Sequence, residues 1–426
     1  MNDSLFRRES GRLVSALTRI FGVHNLQLAE DVAQEALVRA FEVWKLRGVP
    51  ENPSAWLVAV AKNLALDVLR RQRTALSLAP DLENLLQTEW TVASVVNEQF
   101  EPKNIGDDLL RMMFTCAHPK LSENVQVALV LQVLCGFSVR EVAQAFLSEE
   151  AAMEKKLVRA KATLAESDGF FELLQGPALV KRLAGVQRAL YLLFNEGYHG
   201  ASTASAVRVE LCEEAMRLTS LLLAHPLTTT PRTSALAALM CFNAARLPGR
   251  VDDAGELLQL ADQDRSKWNS ALIAEGERLL EQSASGPELS EYHVEAAIAG
   301  VHSRAKTANA TQWNQIVALY DALMALRPSP VIELNRAVAI AQHEGPGAGI
   351  AALNAIENRE RLDAYPFFPA AYGELELRRG QHEIAAEHFQ RALTLARSPE
   401  ERRFFERRIA HCKNPSPMGR GSAKRG

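Results

Sequence analysis

Long apolar runs are missing. No stretch of the 426 residues approaches the roughly 20 consecutive apolar residues of a membrane-spanning helix, so no membrane partner is expected. The opening MNDSLFRRES has no apolar h-region, and no signal peptide is expected. Cysteine is scarce and unpatterned: Cys116, Cys135, Cys212, Cys241 and Cys412 form no CxxC pair, which excludes a disulfide framework and points to reduced thiols in a cytoplasmic protein. No glycine-rich phosphate loop, HExxH or GxSxG occurs, so no enzyme activity, cofactor or metal is expected. Cys116 and His118 in FTCAHPK stand close enough to share a metal, but no second pair follows at zinc-finger spacing; a packed turn ended by Pro119 fits them as well. An excess of positive charge is missing too. With 48 Lys and Arg against 51 Asp and Glu, any nucleic-acid binding has to rest on a local basic patch.

Helical periodicity fills the chain, and alternating strand patterns do not appear. An all-α fold in three parts is expected. In the first, residues 1–75, the segment 28–44 gathers Leu28, Val32, Ala36, Leu37, Ala40, Phe41 and Trp44 on one face, with Asp31, Gln34, Glu35, Arg39 and Glu42 opposite. The next helix, within AWLVAVAKNLALDVLRRQR (55–73), runs about 27 Å over 56–73. It buries Leu57, Val60, Ala61, Leu64 and Val68, and lines another face with Lys62, Asn63, Leu66, Arg70 and Arg73. Asp67 is placed to pair with Arg71 one turn on. Such a helix is a core helix with a solvated end, a membrane anchor, or a helix docked on phosphates. Asn63 and Asp67 interrupt the face an anchor needs.

Residues 76–107 form an acidic linker: from 75 to 108 seven carboxylates face the single Lys103, a net charge of -6. Residues 108–167 hold three helices, at 122–134, at 138–146 behind the capping box Ser138–Glu141, and at 149–165. The last two read as a helix-turn-helix whose second helix carries Lys155, Lys156, Arg159 and Lys161; a plain three-helix packing unit with a solvated basic face is the alternative. Residues 175–412 are an Ala/Leu-rich run of helices. In 371–393, Gly373, Ala385, Phe389 and Ala392 occupy the small and aromatic positions of a tetratricopeptide helix pair, so an α-solenoid is expected. DQDRSKWN (262–269) and LFNEGYHG (193–200) are either helix caps or a ligand site in that solenoid. Residues 413–426 read as a disordered basic tail.

These residues resemble a known family. DVAQEALVRAFEVW, AWLVAVAKNLALDVLRRQR and FSVREVAQAFLSEEAAMEKKLVRAKATL are similar, in order and spacing, to regions 2 and 4 of bacterial extracytoplasmic-function sigma factors of the sigma-70 family. FTCAHPKLS, LYLLFNEGY, DQDRSKWN, YDALMALRPSPVIELNRAVAIA and ERRFFERRIA extend the likeness to the subfamily with a long tetratricopeptide-like C-terminal extension.

The resemblance implies an alternative sigma factor that binds core RNA polymerase and directs promoter-specific initiation. Asp31, Gln34, Glu35 and Arg39 would dock on the coiled coil of the polymerase β′ subunit, with the β subunit as a further partner. Trp56, Lys62, Asn63, Arg70, Arg71 and Arg73 would bind the −10 element, with RGVPENPSA (47–55) trapping a flipped base. Trp56 is either a base stack or a core residue bridging two helices. Lys155, Lys156, Arg159 and Lys161 would bind the −35 element, where Glu154 departs from a commonly basic family position. A spacer of about 17 base pairs spans roughly 58 Å, and the extended linker reaches at most about 105 Å, so it can join the two readers; its acidity suits a channel built for RNA. The C-terminal domain is expected to regulate activity, beside a small YCII-like or anti-sigma partner. The competing functions are a helix-turn-helix regulator with a peptide- or ligand-sensing solenoid that needs no core polymerase, and a scaffold that uses the solenoid alone.

Overall fold

The computed structural model describes residues 3–76, 102–146, 148–166, 177–199, 207–250, 258–396 and 399–413. Most of the acidic linker and the basic tail therefore lie outside the described residues. The described residues are helical, without a β-strand, and divide into two compact units: residues 1–197 with 210–229, and 198–209 with 230–426.

The first unit opens with α1 (Asp3–Phe21), α2 (Leu26–Arg47) and α3 (Pro53–Leu76). Gly22 and Gly48, both at positive φ, turn the chain between them, where a side chain would be strained. Asn52 Oδ1 accepts the amide of Ala55 at 3.0 Å, and Pro53 occupies the first position of α3, where its missing N–H costs nothing. The buried face of α2 is Ala29, Val32, Ala33, Ala36, Ala40 and Trp44. Phe41, expected on that face, is 55% exposed, and Leu28 and Leu37 are only half-buried. The alanine stripe lets α2 approach its neighbours closely, so the small residues take the core and the bulkier Val38, Phe41 and Leu46 face outward. The expected buried stripe of α3 holds at Leu57, Ala61 and Leu64, while Val60 and Val68 are half-buried.

α4 (Pro102–Cys116) begins six residues inside the expected linker and buries Leu109, Leu110, Met112 and Met113. The helix expected over 122–134 is α5 (Glu123–Leu129), continued as a π-helical turn (Val130–Leu134) in which Cys135 N–H reaches back five residues to Val130 O at 3.1 Å. Gly136, φ 66°, ends it. α6 (Val139–Ala145) and α7 (Glu150–Ala165) follow, then α8 (Pro177–His199) and α9 (Val209–Ala224).

The second unit is built around α10 (Pro231–Ala244), which is buried along nearly its whole length and flanked by α11 (Ser270–Ser283) and α12 (Glu291–Arg304). Phe242 wedges between Gly276 and Gly300; a Cβ on either would meet its ring at 2.9 or 3.3 Å. Beyond come α13 (Trp313–Leu326), α14 (Pro330–His343), α15 (Pro346–Asn354), α16 (Phe367–Arg378), α17 (His382–Thr394) and α18 (Pro399–Lys413). Successive helices share three cores in series, around Ile316 and Leu323, around Leu334 and Leu353, and around Phe389 and Phe405. Gly373 lies flat against Phe389, with Ala385 and Ala392 fully buried beside it, the small-and-aromatic packing the sequence pattern implies.

Candidate nucleic-acid interface

The outward face of α2 is a mixed surface. Asp31, Gln34, Glu35 and Arg39 are all exposed. Gln27 Nε2 donates to Asp31 Oδ1 at 3.0 Å, and Arg39 Nη2 donates to Glu35 Oε1 at 2.5 Å. Val38, Phe41 and Leu46 share this face. The sequence reading placed Phe41 in the core and assigned neither Val38 nor Leu46; exposed apolar residues rimmed by charges are the usual composition of a docking surface.

On α3, Lys62 is half-buried, and Asn63, Arg70 and Arg71 are exposed; Arg73 lies on the same helix, its side chain outside the described residues. Asp67 approaches Arg70 at 3.6 Å rather than the expected Arg71. At about 100° per residue Lys62, Asn63 and Arg70 lie within a sector of about 100°, and Arg71 lies about 80° beyond Asn63. Trp56 is half-buried with its ring edge-on to Trp44 at 5.5 Å, and Trp44 packs against Phe6 at 5.4 Å. One side of Trp56 is therefore core, and the rest meets solvent.

Where the helix-turn-helix was expected, the short helix α6 is followed by α7. Ser138 and Glu141 form the expected capping box, with Glu141 Oε2 accepting Ser138 N–H at 2.9 Å and Ser138 Oγ accepting Glu141 N–H at 3.3 Å. Met153, Leu157, Ala160 and Leu164 bury one side of α7. Lys155, Lys156 and Arg159 are exposed on its other side, with Glu154. Val158, 61% exposed among them, was not singled out from sequence. Lys161 stands apart. Its Nζ lies 2.9 and 2.7 Å from the two oxygens of Glu30 on α2, with only 14% of the Lys161 side chain and 9% of the Glu30 side chain exposed. Burial raises the Glu30 pKa, and the lysine pulls it only partly back.

Residues 5–75 match sigma-70 region 2, covering α1–α3 almost end to end. This chain carries a sigma-70 region 2 domain at its N-terminus. A region 2 engages RNA polymerase core and promoter DNA in general terms, which makes these its partner classes. Residues 182–284 match a family of unknown function, DUF6596, which runs from α8 through α11. An uncharacterized protein of Rhizobium meliloti (strain 1021) is 37% identical over 398 residues, 93% of this chain and 92% of that one, and the two belong to one family. No solved structure matches. None of the described helices is long and apolar enough to cross a membrane.

Elsewhere, residues of the polar motifs make internal contacts. In DQDRSKWN, Asp264 accepts Ser266 N–H at 3.0 Å, Asn269 Oδ1 caps α11 through Ala271 and Leu272, and Arg265 Nη1 donates to His302 O and Ala305 O at the end of α12. Arg250 lies 4.0 Å over the Tyr198 ring. His118 Nδ1 accepts Lys120 N–H at 3.1 Å, and the neighbouring Cys116 thiol is fully buried, its pKa pushed up by desolvation. His293 completes a capping box with Ser290, and its other ring nitrogen lies 3.2 Å from Ser283 O.

Proposed function

We propose that this protein is an alternative sigma factor of the sigma-70 family, of the extracytoplasmic-function type. The observation that carries the reading is a region 2 match laid over three helices whose exposed faces are divided between docking and basic character, followed in sequence by a capped helix-turn-helix. The α2 face with Asp31, Gln34, Glu35 and Arg39 docks on the β′ coiled coil, its apolar residues adding buried area. Lys62, Asn63 and Arg70 meet the −10 strand, neutralising phosphate while Trp56 offers its free face to an unstacked base. Lys155, Lys156 and Arg159 hold phosphates near the −35 element, and Val158 reads apolar base edges. The helical hairpins of the second unit act as a tetratricopeptide-like regulatory module, which a YCII-like or anti-sigma protein can engage.

Transcription from genomic fragments with purified core polymerase tests the reading. A promoter-dependent transcript that vanishes with Gln34→Ala/Glu35→Ala, together with loss of co-purification with β′, is expected. Tight specific DNA binding without core and no transcript with it would replace this reading by a regulator acting alone.

A further inference from the structure

Two polar motifs that promoter reading does not use, DQDRSKWN and LFNEGYHG, meet in the second unit. Asn269 N–H donates to Ala245 O at 2.9 Å, which sets Trp268 of the first motif beside Arg246, just past the end of α10. The Trp268 ring carries two guanidiniums, that of Arg246 at 5.4 Å and that of Arg265 at 4.8 Å. Arg250, at the far side of the short turn Leu247–Gly249, covers Tyr198 of the second motif. Only 5% of Arg246, 6% of Trp268 and 8% of His302 is exposed.

Three cations gather here without a counter-ion: among the described residues no carboxylate pairs with Arg246, Arg250 or Arg265. Burying an unpaired charge is costly, and burial lowers the pKa of Arg246 and Arg265. Part of the charge rests on the end of α12. Arg246 Nη2 donates to Ala299 O at 2.7 Å and to Ser303 Oγ at 3.4 Å, and Arg265 Nη1 donates to His302 O and Ala305 O. A further Arg246 hydrogen bond goes to the Tyr198 hydroxyl. These contacts are structural, and they leave donors over. Arg246 Nε, Arg250 Nε and the Trp268 indole N–H are buried without an acceptor, and His302 Nδ1 has no partner. Gly249 does not have the positive φ that calls for glycine, yet a Cβ on it would stand 3.1 Å from Trp268 Nε1. Glycine there keeps the space beside the indole N–H clear. Arg250 and Arg265, both half-buried, bring the cluster to the surface.

We propose that Arg246, Arg250, Arg265 and Trp268, with His302 beside them, form a binding site for the phosphate group of a small molecule, which makes the second unit a ligand sensor. The chemistry selects phosphate over carboxylate. A carboxylate is planar and takes two parallel N–H groups from one edge of a guanidinium. On Arg246 the Nη2 of the edge shared with Nε is held by Ala299 O, and on Arg265 Nη1 is held by α12 and Nη2 by Thr311 Oγ1 at 3.4 Å. What remains are single donors on separate side chains, Arg246 Nε, Arg250 Nε and Trp268 Nε1, which suit a tetrahedral group with an oxygen for each. Its negative charge supplies the counter-ion that the guanidiniums lack.

The test titrates the full chain, isotope-labelled, with inorganic phosphate at constant ionic strength and follows the indole N–H signals of its five tryptophans by NMR. The signal lost in Trp268→Phe is that of Trp268. It is expected to move saturably, while the signals of Trp44 and Trp56 in the first unit stay in place. Gly249→Ala crowds the indole N–H without touching a charge. Arg250→Gln removes a charge and leaves the bonds of Arg246 and Arg265 to α12 intact. Each should weaken phosphate binding about tenfold or more. Thermal melts in chloride check that both variants fold, and added phosphate should raise the melting temperature of the wild type but not theirs. A Trp268 signal that does not move saturably, equal movement of Trp44 and Trp56, or undiminished binding in the folded variants overturns the site. Citrate at the same ionic strength should leave the signal in place; a response as strong as that to phosphate overturns the choice of phosphate. Neither polymerase nor DNA is present, so these outcomes judge this site alone and leave the promoter reading to its own transcription assay.

Discussion

Acid should unfold the second unit through one histidine. His302, near the end of α12, is buried, its Nδ1 has no hydrogen-bond partner, and its ring stands edge-on to Trp313 at 5.2 Å. Burial, reinforced by the nearby Arg246 and Arg265 cations, lowers its pKa from 6.5 to about 3. Above pH 6.5 neither the folded nor the unfolded chain protonates it. As pH falls below that value the unfolded chain takes up a proton that the folded chain refuses, so stability present above 6.5 is lost on the way towards 3. The slope is about 1 kcal/mol per pH unit, or roughly 2 kcal/mol between pH 6.5 and 5. Phe fits the same space against Trp313 and does not titrate. Denaturant melts of wild type and His302→Phe from pH 7.5 to 5 should therefore diverge, the wild type losing stability and the variant staying flatter. Parallel curves would refute the account, because the other titrating histidines are common to both proteins.

Gly276→Ala should destabilise the second unit by about 1–3 kcal/mol, since its Cβ meets the buried Phe242 ring and outweighs the helical preference for alanine; a denaturant titration measures this. Asn269→Ala removes the acceptor for Ala271 and Leu272 amides and should cost about 1 kcal/mol in the same assay. The thiols of Cys116, Cys135 and Cys241 are buried, and desolvation pushes Cys241 to about 12, so a disulfide reagent should leave them unmodified in the native protein at pH 8 and react promptly in denaturant.

The helical class and the capping box were legible because they depend on local signals, periodicity and Ser138 three residues before Glu141; the start of α3 was read at 56, three residues late, because Pro53 and the Asn52 cap were left in the preceding loop. The face of α2 was read one step out of place. Bulk was taken to mark burial, whereas close packing selected alanine for the core and left Phe41 outside. The start of α4 was hidden because the acidic composition of 101–108 describes charge and not backbone. The basic residues of α7 were legible as a set, but nothing local distinguishes Lys161 from Lys155. Its partner is 131 positions away, and only the fold brings Glu30 to it.

The three cores in series give the second unit an unusual kind of cooperativity. Leu334, Ala337 and Ala341 of α14 face one core while Ala339 of the same helix faces the preceding one; α16 likewise gives Phe368 and Leu375 to one core and Ala370 to the next. These two helices behave as couplers in a nearest-neighbour chain, and the free energy of this stretch is a sum of local and junction terms. Damage at Phe405 should stay within the last core, and damage to α14 should divide the stretch into independently melting halves. The C-terminal helix, coupled on one side alone, is where opening starts.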